Sequence, residues 1–457
     1  MYNITIEQVI SKLEEKAKDV YTTLPNDIFR KYNVKKGLRN EDGTGVVAGI
    51  TSIGEVAGYY IEDGEKMPME GHLRYRGIDI YDLVKNCREK DRFGFEEVVY
   101  LLLFGNLPTQ SELEGLKFFM EKKRALPKGF MEDMIMRAPS VNVMNKLARS
   151  VLALYSYDIN PDDLSLGNIL RQSLGLVSMM PVITAYAYQA KRHYHDHESL
   201  YIHSPLSALS TAENFLHMIR KDNKFTHEEA LMLDTMLMLH AEHGGGNNSA
   251  FTVRVVSSSD TDTYSAMAAA IGSLKGPKHG GANAKVMGMM DNIKQNVADW
   301  KNEDEVASYI EKIIKKEAFD NSGLIYGMGH AIYTKSDPRA VLLKEQAEKL
   351  IEKKTEYSDE FELYKLVEDL TPEVFARVKN NSKVMCANVD LYSGFVYKML
   401  NISPDLYTPL FAISRIVGWS AHRIEEVLVN KRIMRPAYKS ISKSMEYVNI
   451  EDREMPD

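Results

Sequence analysis

The feature that most constrains the fold of this chain is a helical spacing of apolar residues that recurs from residue 95 to residue 430. Apolar side chains three and four positions apart mark one face of an α-helix, and loop signals such as Leu107-Pro108-Thr109 separate the segments. Neither a strand–helix alternation nor a sequence repeat is visible, which disfavours a parallel nucleotide-binding sheet and a solenoid. The pattern predicts an all-α protein with helices at 95–104, 110–124, 141–155, 169–189, 207–220, 227–242, 263–273, 282–296, 303–316, 337–354, 359–370, 372–380, 390–400, 404–417 and 420–430.

The residues before this region follow other patterns. An amphipathic helix is predicted at the start, where Ile6, Val9, Ile10, Leu13, Ala17 and Val20 recur at helical spacing. Residues 24–45 are polar and predict a connector, whereas residues 46–62 combine β-branched residues with glycines and precede an Asp63-Gly64 turn signal. A small N-terminal β-hairpin is therefore expected there.

Composition limits the classes of protein that remain. The 457 residues suggest about three domains, and 44% hydrophobic with 26% charged residues is an ordinary balance for a folded globular protein. The net charge of −7 gives the whole molecule no attraction to nucleic acid or to anionic membranes. The segment 415–443 differs, because its net charge is +5. That segment is either a solvated helix face or a site for an anion.

Cysteine usage and the N-terminal sequence indicate the compartment. Two cysteines, Cys87 and Cys386, are too few for a disulfide framework or a four-cysteine zinc site. A single disulfide between them is one alternative, but a reducing compartment is the simpler interpretation. No apolar run reaches the ~18–20 residues of a membrane span. Glutamates interrupt any signal-peptide core, and the first arginine is Arg30, unlike a transit peptide. We therefore expect a cytoplasmic protein.

Three histidines lie among glycines or other small residues, namely His243, His279 and His330. Glycine allows close backbone approach to a ligand, so a histidine fixed there is well placed for proton transfer. The alternative for each is an ordinary loop or capping residue. His279 also precedes a helix predicted from Ala282, whose positive end would lower the histidine pKa and favour the neutral imidazole.

Patterns that resemble metal or phosphate sites are weaker. His240, Glu242 and His243 lack the spacing of a metalloprotease helix and show no third ligand, and the alternating His193, His195 and His197 are typical of an exposed loop. The Gly244–Gly246 run has neither a preceding strand nor a following Lys-Ser/Thr, so a phosphate-binding loop is not supported. We expect no metal.

Two further residues allow both a structural and a chemical interpretation. Asp337 and Pro338 are typical of a helix start, which would place Arg339 rigidly near His330, ready to bind a carboxylate. Asp390 stands between apolar neighbours, where it either caps a helix or has a raised pKa and acts as a base.

Taken together, these segments resemble the citrate synthase family of the si type. His279 and His330 are 51 residues apart, His330 and Asp390 are 60 apart, and Arg415 and Arg435 are 20 apart, which makes a chance match improbable. The matching segments, in family order, are 71–77, 102–108, 240–248, 276–283, 327–339, 388–394 and 415–436.

The resemblance implies a reaction and the residues that perform it. Acetyl-CoA would condense with oxaloacetate and water to give citrate and CoA, with CoA as substrate and product and with no resident cofactor. Asp390 would be the base, His279 would stabilise the enol or enolate, and His330 would activate the ketone. Oxaloacetate would be held by His243, Arg339, Arg415 and Arg435.

The resemblance also implies an assembly. Arg435 would come from the partner subunit of a homodimer, and higher oligomers remain open. The loop that contacts the adenine of CoA would comprise Leu324, Ile325, Tyr326, Gly327, Met328 and Gly329. The fold would have two helical domains, the large one at 1–280 and 391–457 and the small one at 281–390, which replaces the count of three.

Two other functions stay open. A 2-methylcitrate synthase that uses propionyl-CoA would share the catalytic trio. A non-catalytic CoA-binding homologue is the more remote alternative, because it would not need His279, His330 and Asp390.

Overall fold

The computed structural model describes residues 5–380 and 384–453. The chain divides into two compact units, residues 49–434 and residues 1–48 with 435–457. The described residues form one small sheet and α-helices α1 (Ile6–Val20), α2 (Asn26–Lys31), α3 (Ile80–Glu89), α4 (Phe95–Phe104), α5 (Gln110–Lys123), α6 (Val143–Ala153), α7 (Leu166–Tyr194), α8 (Thr211–Ile219), α9 (His227–His240), α10 (Asn248–Ser257), α11 (Thr263–Lys275), α12 (Ala282–Asn296), α13 (Glu303–Ile314), α14 (Pro338–Ile351), α15 (Ser358–Lys379), α16 (Val389–Met399) and α17 (Tyr407–Glu425).

The core of the 49–434 unit is built around long helices that are apolar on most sides. α7 and α17 pack against each other, and α17 also contacts α4, α9, α10 and α11. Twelve of the fourteen residues of α9 are buried, which is why its sequence shows little amphipathic alternation. The predicted all-α architecture is confirmed.

The predicted hairpin is also confirmed. Strands β1 (Gly54–Glu62) and β2 (Glu65–Tyr75) pair antiparallel around Asp63 and Gly64, both with positive φ, and β3 (Ile78–Asp79) extends the sheet. Gly58 of β1 lies against the backbone of Tyr333, where an added Cβ would be 2.5 Å from the Tyr333 Cα. The hairpin therefore packs directly on the segment that follows His330.

Several helix boundaries differ from the prediction. The break predicted at 371 is wrong, because α15 continues through Pro372 and the Thr371 hydroxyl donates to the Val367 carbonyl one turn earlier. The break predicted at 418–419 is wrong as well, since Gly418 lies inside α17, which ends in a π-helical turn at Glu426–Asn430. Helices α3 and α10 were not predicted, and α2 lies within the predicted connector.

The unit of residues 1–48 and 435–457 has a different character. The predicted N-terminal helix is present as α1, which begins with a capping box between Thr5 and Gln8. None of the residues of α1 is buried. The apolar Ile6 and Val20 are 79% and 73% exposed. Arg435 belongs to this unit, lies outside regular secondary structure and is exposed.

The division at 280/281 and 390/391 stays a prediction, because it lies within the single 49–434 unit. Cys87 and Cys386 are both buried free thiols, so the bridge that the sequence left open is not formed. None of the described helices has both the length and the apolar character needed to cross a membrane.

Candidate active site

His330 and Asp390 are brought together by a backbone clamp between two loops. The Gly329 amide donates to the Cys386 carbonyl at 2.7 Å, and the Asn388 amide donates to the Gly327 carbonyl at 2.8 Å. The Asn388 side chain adds a bond to the Gly329 carbonyl at 2.8 Å. Because His330 follows one loop and Asp390 the other, this clamp holds the backbone before His330 against the backbone before Asp390.

Glycine is favoured at two positions in this clamp, because Gly327 and Gly329 both have a φ of +84°. At Gly327, a Cβ would lie 2.9 Å from the Leu391 Cα in the first turn of α16. Any other residue would be strained and would push the loop away from the helix. Gly327 therefore sets how closely the His330 loop approaches α16.

The hydrogen bonds to His330 define its tautomer. Its Nδ1 accepts from the backbone amides of Ile332 and Tyr333 at 3.1 and 3.2 Å. An Nδ1 that accepts carries no hydrogen, so the neutral imidazole is protonated on Nε2. The ring stacks on Tyr333, with centroids 4.6 Å apart, and meets the His243 ring edge-on at 5.2 Å.

His243 is buried at the end of α9, beside the same tyrosine. Its Nε2 lies 3.2 Å from the Tyr333 hydroxyl. Burial lowers the pKa of His243 well below its ordinary value, and the charges of the neighbouring Arg339 and Arg415 lower that pKa further. His243 is therefore neutral, with no charge repulsion toward the arginines that surround it.

His279 lies in the loop between α11 and α12, which begins at Ala282 as predicted. Its Nε2 is 3.0 Å from the Ser249 hydroxyl, which also accepts from the Trp419 indole at 3.1 Å. Burial, and then the charge of Arg415, lower the pKa of His279 to about 4. His279 is therefore a neutral imidazole, as predicted from the sequence, and burial is the main cause of its lowered pKa.

Asp390 lies in the first turn of α16 and is half-buried. The helix is capped by Asn388, whose side chain accepts from the Asp390 amide at 2.9 Å, so the capping alternative for Asp390 is wrong. Burial raises the pKa of Asp390 to about 6, even though Arg339 opposes that shift. A carboxylate with such a pKa is a stronger base than an exposed aspartate.

Arg415 is the most unusual group in the site. It lies on α17 with none of its surface exposed, and its Nε donates to the His240 carbonyl at 2.7 Å. Both of its Nη atoms are buried and find no hydrogen-bond partner among the described residues. Burial lowers its pKa to about 10, although the charge of nearby Glu242 opposes that shift.

Arg339 is held differently. Asp337 accepts from its Nε at 3.0 Å and from its Nη2 at 2.7 Å, while also capping α14 as predicted. Burial alone lowers the pKa of Arg339, but the charge and the hydrogen bonds of Asp337, together with the nearby Tyr333 and Asp390, more than offset burial and raise that pKa. The guanidinium carbon lies 5.8 Å from the centre of the Tyr333 ring, so Arg339 reaches the His243–His330 cluster.

The remaining predicted residues fall in two places. The loop of residues 324–329 precedes His330, with Leu324 exposed and Ile325 buried, and Met328 forms a bridge to Ala387. Arg435 lies in the other compact unit, so its predicted role in the site stays a prediction. Within the described part of the chain, no group of three or more His, Cys, Asp or Glu could hold a metal ion.

Sequence reasoning missed several residues of this site. Tyr333 and Ser249 follow predicted histidine motifs by a few positions, but an isolated hydroxyl residue gives no sequence signal of its own. The Phe411 ring is tilted by 37° against the His240 ring, with centroids 4.5 Å apart, and its centre lies 4.6 Å from the guanidinium carbon of Arg415. Its position one turn before Arg415 on α17 was the available clue.

The site thus combines three neutral histidines, a raised-pKa carboxylate and a buried arginine with unused donors. Such a set can bind an anion, withdraw a proton and donate to oxygens that become negative. The fold and site define a mostly helical enzyme that handles an anionic substrate by proton transfer.

Comparison with known proteins identifies the family. The family described as "Citrate synthase, C-terminal domain" matches residues 41–437. A citrate synthase of Synechocystis sp. is 34% identical over 95% of this chain and 96% of that protein, and a 2-methylcitrate synthase of Shewanella oneidensis is 31% identical over 84% and 90%.

A solved structure agrees. It is a ternary complex of carboxymethyl coenzyme A and oxaloacetate with the citrate synthase of Thermoplasma acidophilum, with a TM-score of 0.73 and 27% identity over 92% of this chain and 99% of that one. The chain belongs to the citrate synthase family. It is a transferase of the citrate (Si)-synthase type.

Proposed function

We propose that this protein condenses acetyl-CoA with oxaloacetate and water to give citrate and CoA. One observation carries the proposal: Arg415 is buried with two Nη atoms that no described residue binds, beside neutral histidines and a raised-pKa aspartate. A buried cation without a partner is costly, and a substrate carboxylate would satisfy it with two parallel hydrogen bonds.

Asp390 is the base in this proposal. The methyl group of a thioester is a very weak acid, so a carboxylate succeeds only if the developing oxyanion is stabilised at the same time. The Asp390 pKa of about 6 leaves it ionised at neutral pH yet more basic than an exposed aspartate. The methyl proton passes to this carboxylate as the enol or enolate forms.

His279 is the donor to the thioester oxygen. Because its pKa is about 4, it donates a hydrogen bond as a neutral imidazole. The proposal requires that Ser249 give its own hydrogen to Nε2, so that Nδ1 carries the ring hydrogen. A preorganised donor of this kind lowers a barrier by about 3–4 kcal/mol.

His330 acts on the second substrate. The neutral ring donates its Nε2 hydrogen to the ketone oxygen of oxaloacetate. That oxygen becomes an alkoxide as the new carbon–carbon bond forms. His330 gives that proton to the alkoxide and regains one from the water that attacks the citryl thioester, and the proton held by Asp390 passes to the departing thiolate, which leaves as the CoA thiol. His243, Arg339 and Arg415 hold the two carboxylates.

The assembly belongs to the same proposal. Arg435 completes the carboxylate site from the partner subunit of a homodimer, and the loop of residues 324–329 contacts the adenine of CoA. Rotation of residues 281–390 closes the site and excludes water, which protects the thioester from hydrolysis before condensation. We propose that the enzyme acts in the tricarboxylic acid cycle of the cytoplasm.

The test is release of the CoA thiol, followed with a thiol-reactive dye. We expect release from acetyl-CoA only when oxaloacetate is present, and a kcat/KM for propionyl-CoA at least tenfold lower. No thiol release with either thioester contradicts the proposal. A higher kcat/KM for propionyl-CoA favours the second candidate, 2-methylcitrate synthase, which the similarity to the Shewanella oneidensis enzyme keeps open.

A further inference from the structure

Glu242 and His422 form a buried pair next to the candidate site, outside the set of residues assigned above. Neither side chain has any exposed surface, and the His422 Nε2 lies 3.0 Å from a Glu242 carboxylate oxygen. Glu242 directly precedes His243, while His422 lies on α17 two turns after Arg415. The pair therefore joins the two segments that carry these substrate-binding residues.

The pair is one of three consecutive contacts between residues 240–242 and one face of α17. These contacts are Arg415 Nε to the His240 carbonyl at 2.7 Å, the Gly418 amide to the Ala241 carbonyl at 3.2 Å, and His422 Nε2 to Glu242 at 3.0 Å. Positions three and four residues apart share one helix face, so the 240–242 segment lies along a single face of α17. The next residue after these contacts is His243.

The tautomer of His422 follows from its other neighbour. Arg254 Nη2 lies 2.6 Å from His422 Nδ1, and a guanidinium can only donate. His422 Nδ1 therefore accepts, and its Nε2 hydrogen points to Glu242. Arg254 belongs to α10, whose first turn holds Ser249, the hydrogen-bond partner of His279.

The packing around Glu242 leaves it one position. A Cβ added to Gly418 would lie 2.2 Å from Glu242 Oε2, and one added to Gly54 would lie 2.8 Å from Glu242 Cγ. Burial alone raises the pKa of Glu242, but His422 and Arg415 outweigh burial and keep that pKa below its ordinary value. Glu242 is therefore an anion that attracts Arg415 without hydrogen-bonding to it.

We propose that Glu242 and His422 are positioning residues: they hold His243 and Arg415 at the separation that a dicarboxylate requires, and Glu242 offsets the buried charge of Arg415 without occupying its Nη donors. This inference rests on the proposed function, because it assigns the substrate carboxylates to His243 and Arg415. Neither residue touches the substrate. Their effect passes through the backbone of residues 240–243 and through α17.

Glu242→Gln is the direct test, since it keeps the shape and removes the charge. Contacts to the oxaloacetate carboxylates are the same in the ground and transition states, so their loss raises KM more than it lowers kcat. We expect at least a tenfold rise in KM for oxaloacetate, a fall in kcat of less than threefold, and a KM for acetyl-CoA within twofold of the unsubstituted enzyme at saturating oxaloacetate.

Glu229→Gln is the matched control. Glu229 is a buried carboxylate on α9, paired with Arg220 at 2.7 Å and Lys354 at 2.8 Å, at the opposite end of that helix from His240. We expect Glu229→Gln to lower the melting temperature as Glu242→Gln does, but to leave both KM values unchanged. A purely structural role for Glu242 would make the two variants alike.

The outcomes separate this inference from the proposed function. An unchanged oxaloacetate KM in Glu242→Gln, with the melting shift of the control, overturns the positioning role while the enzyme remains active. An unsubstituted protein that neither binds nor turns over oxaloacetate overturns the proposed function instead. If Glu242→Gln does not fold, His422→Gln replaces it and must raise the oxaloacetate KM at least threefold for the inference to stand.

Discussion

Asp390 in the candidate site and Asp234 in the core of the same unit both have a pKa above the ordinary aspartate value of 3.8, and burial is the first cause for both. The pKa of Asp390 rises to about 6, and that of Asp234 to about 8, with the charge of Glu96 as the second cause. By the size of the shift alone, Asp234 would be the better candidate for a catalytic acid or base.

The surroundings reverse that ranking. Asp234 caps α4, accepting from the Gly94 amide at 2.7 Å and the Phe95 amide at 3.2 Å, and it is 2% exposed. Asp390 is half-buried, and no side-chain hydrogen bond of its carboxylate to another described residue is present. A raised pKa marks a catalytic group only where the carboxylate can also reach a substrate.

The largest effect is expected from Asp390→Asn. An amide of the same shape cannot take the methyl proton, so we expect kcat to fall by about 10²–10⁴-fold, the usual contribution of a general base. Oxaloacetate binding, measured by calorimetry, should stay within about twofold, because other residues hold the carboxylates. Near-normal turnover in this variant would show that Asp390 is not the base.

Asp234→Ala should have the opposite profile. Removing the carboxylate leaves two buried amides at the start of α4 without a partner, so we expect a loss of about 2–4 kcal/mol in the free energy of unfolding. The kcat per folded molecule should not change. A loss below 0.5 kcal/mol, or a kcat effect as large as that of Asp390→Asn, would erase the distinction between the two aspartates.

The comparison also shows how far the sequence could be used. Helical periodicity predicted α4 and α12 to the residue at both ends. Glycine marks three of these four boundaries, because Gly94 and Gly105 flank α4 and Gly281 directly precedes α12. The prediction failed at Pro372 and Gly418, where tertiary packing outweighs a local helix breaker.

For the site, too, local sequence patterns could be read, whereas contacts between distant segments could not. The resemblance predicted His279, His330 and Asp390 as the catalytic residues because their spacing along the chain is distinctive. It could not locate Ser249, Tyr333 or the Glu242–His422 pair, whose roles depend on contacts between residues 30 to 180 positions apart. Arg339 was predicted from the sequence, but its bonds to Asp337 could be seen only in the folded chain.

The smallest effect is a dependence of stability on pH that isolates Asp234. Its folded pKa of about 8 exceeds the ordinary 3.8, so between these values the folded protein keeps a proton that the unfolded chain has released. Stability must therefore fall as pH rises through this window. Asp390 contributes the same sign only below about pH 6, and His279, with its lowered pKa, contributes the opposite sign only below about 6.5.

From pH 6.5 to 8 Asp234 therefore makes the largest contribution, and Lys146, whose pKa burial lowers to about 8, opposes it only near the top of that interval. We expect the free energy of unfolding by urea, at one fixed protein concentration, to fall by about 1–2 kcal/mol across the interval, within the limit of about 1.4 kcal/mol per pH unit for one group. Asp234→Asn cannot ionise and should flatten this slope, whereas Asp390→Asn should leave it unchanged. If the free energy of unfolding still falls with pH in Asp234→Asn, a group other than Asp234 takes up the proton on folding. Asp390 would then be the only one of the two aspartates whose raised pKa has a measurable consequence.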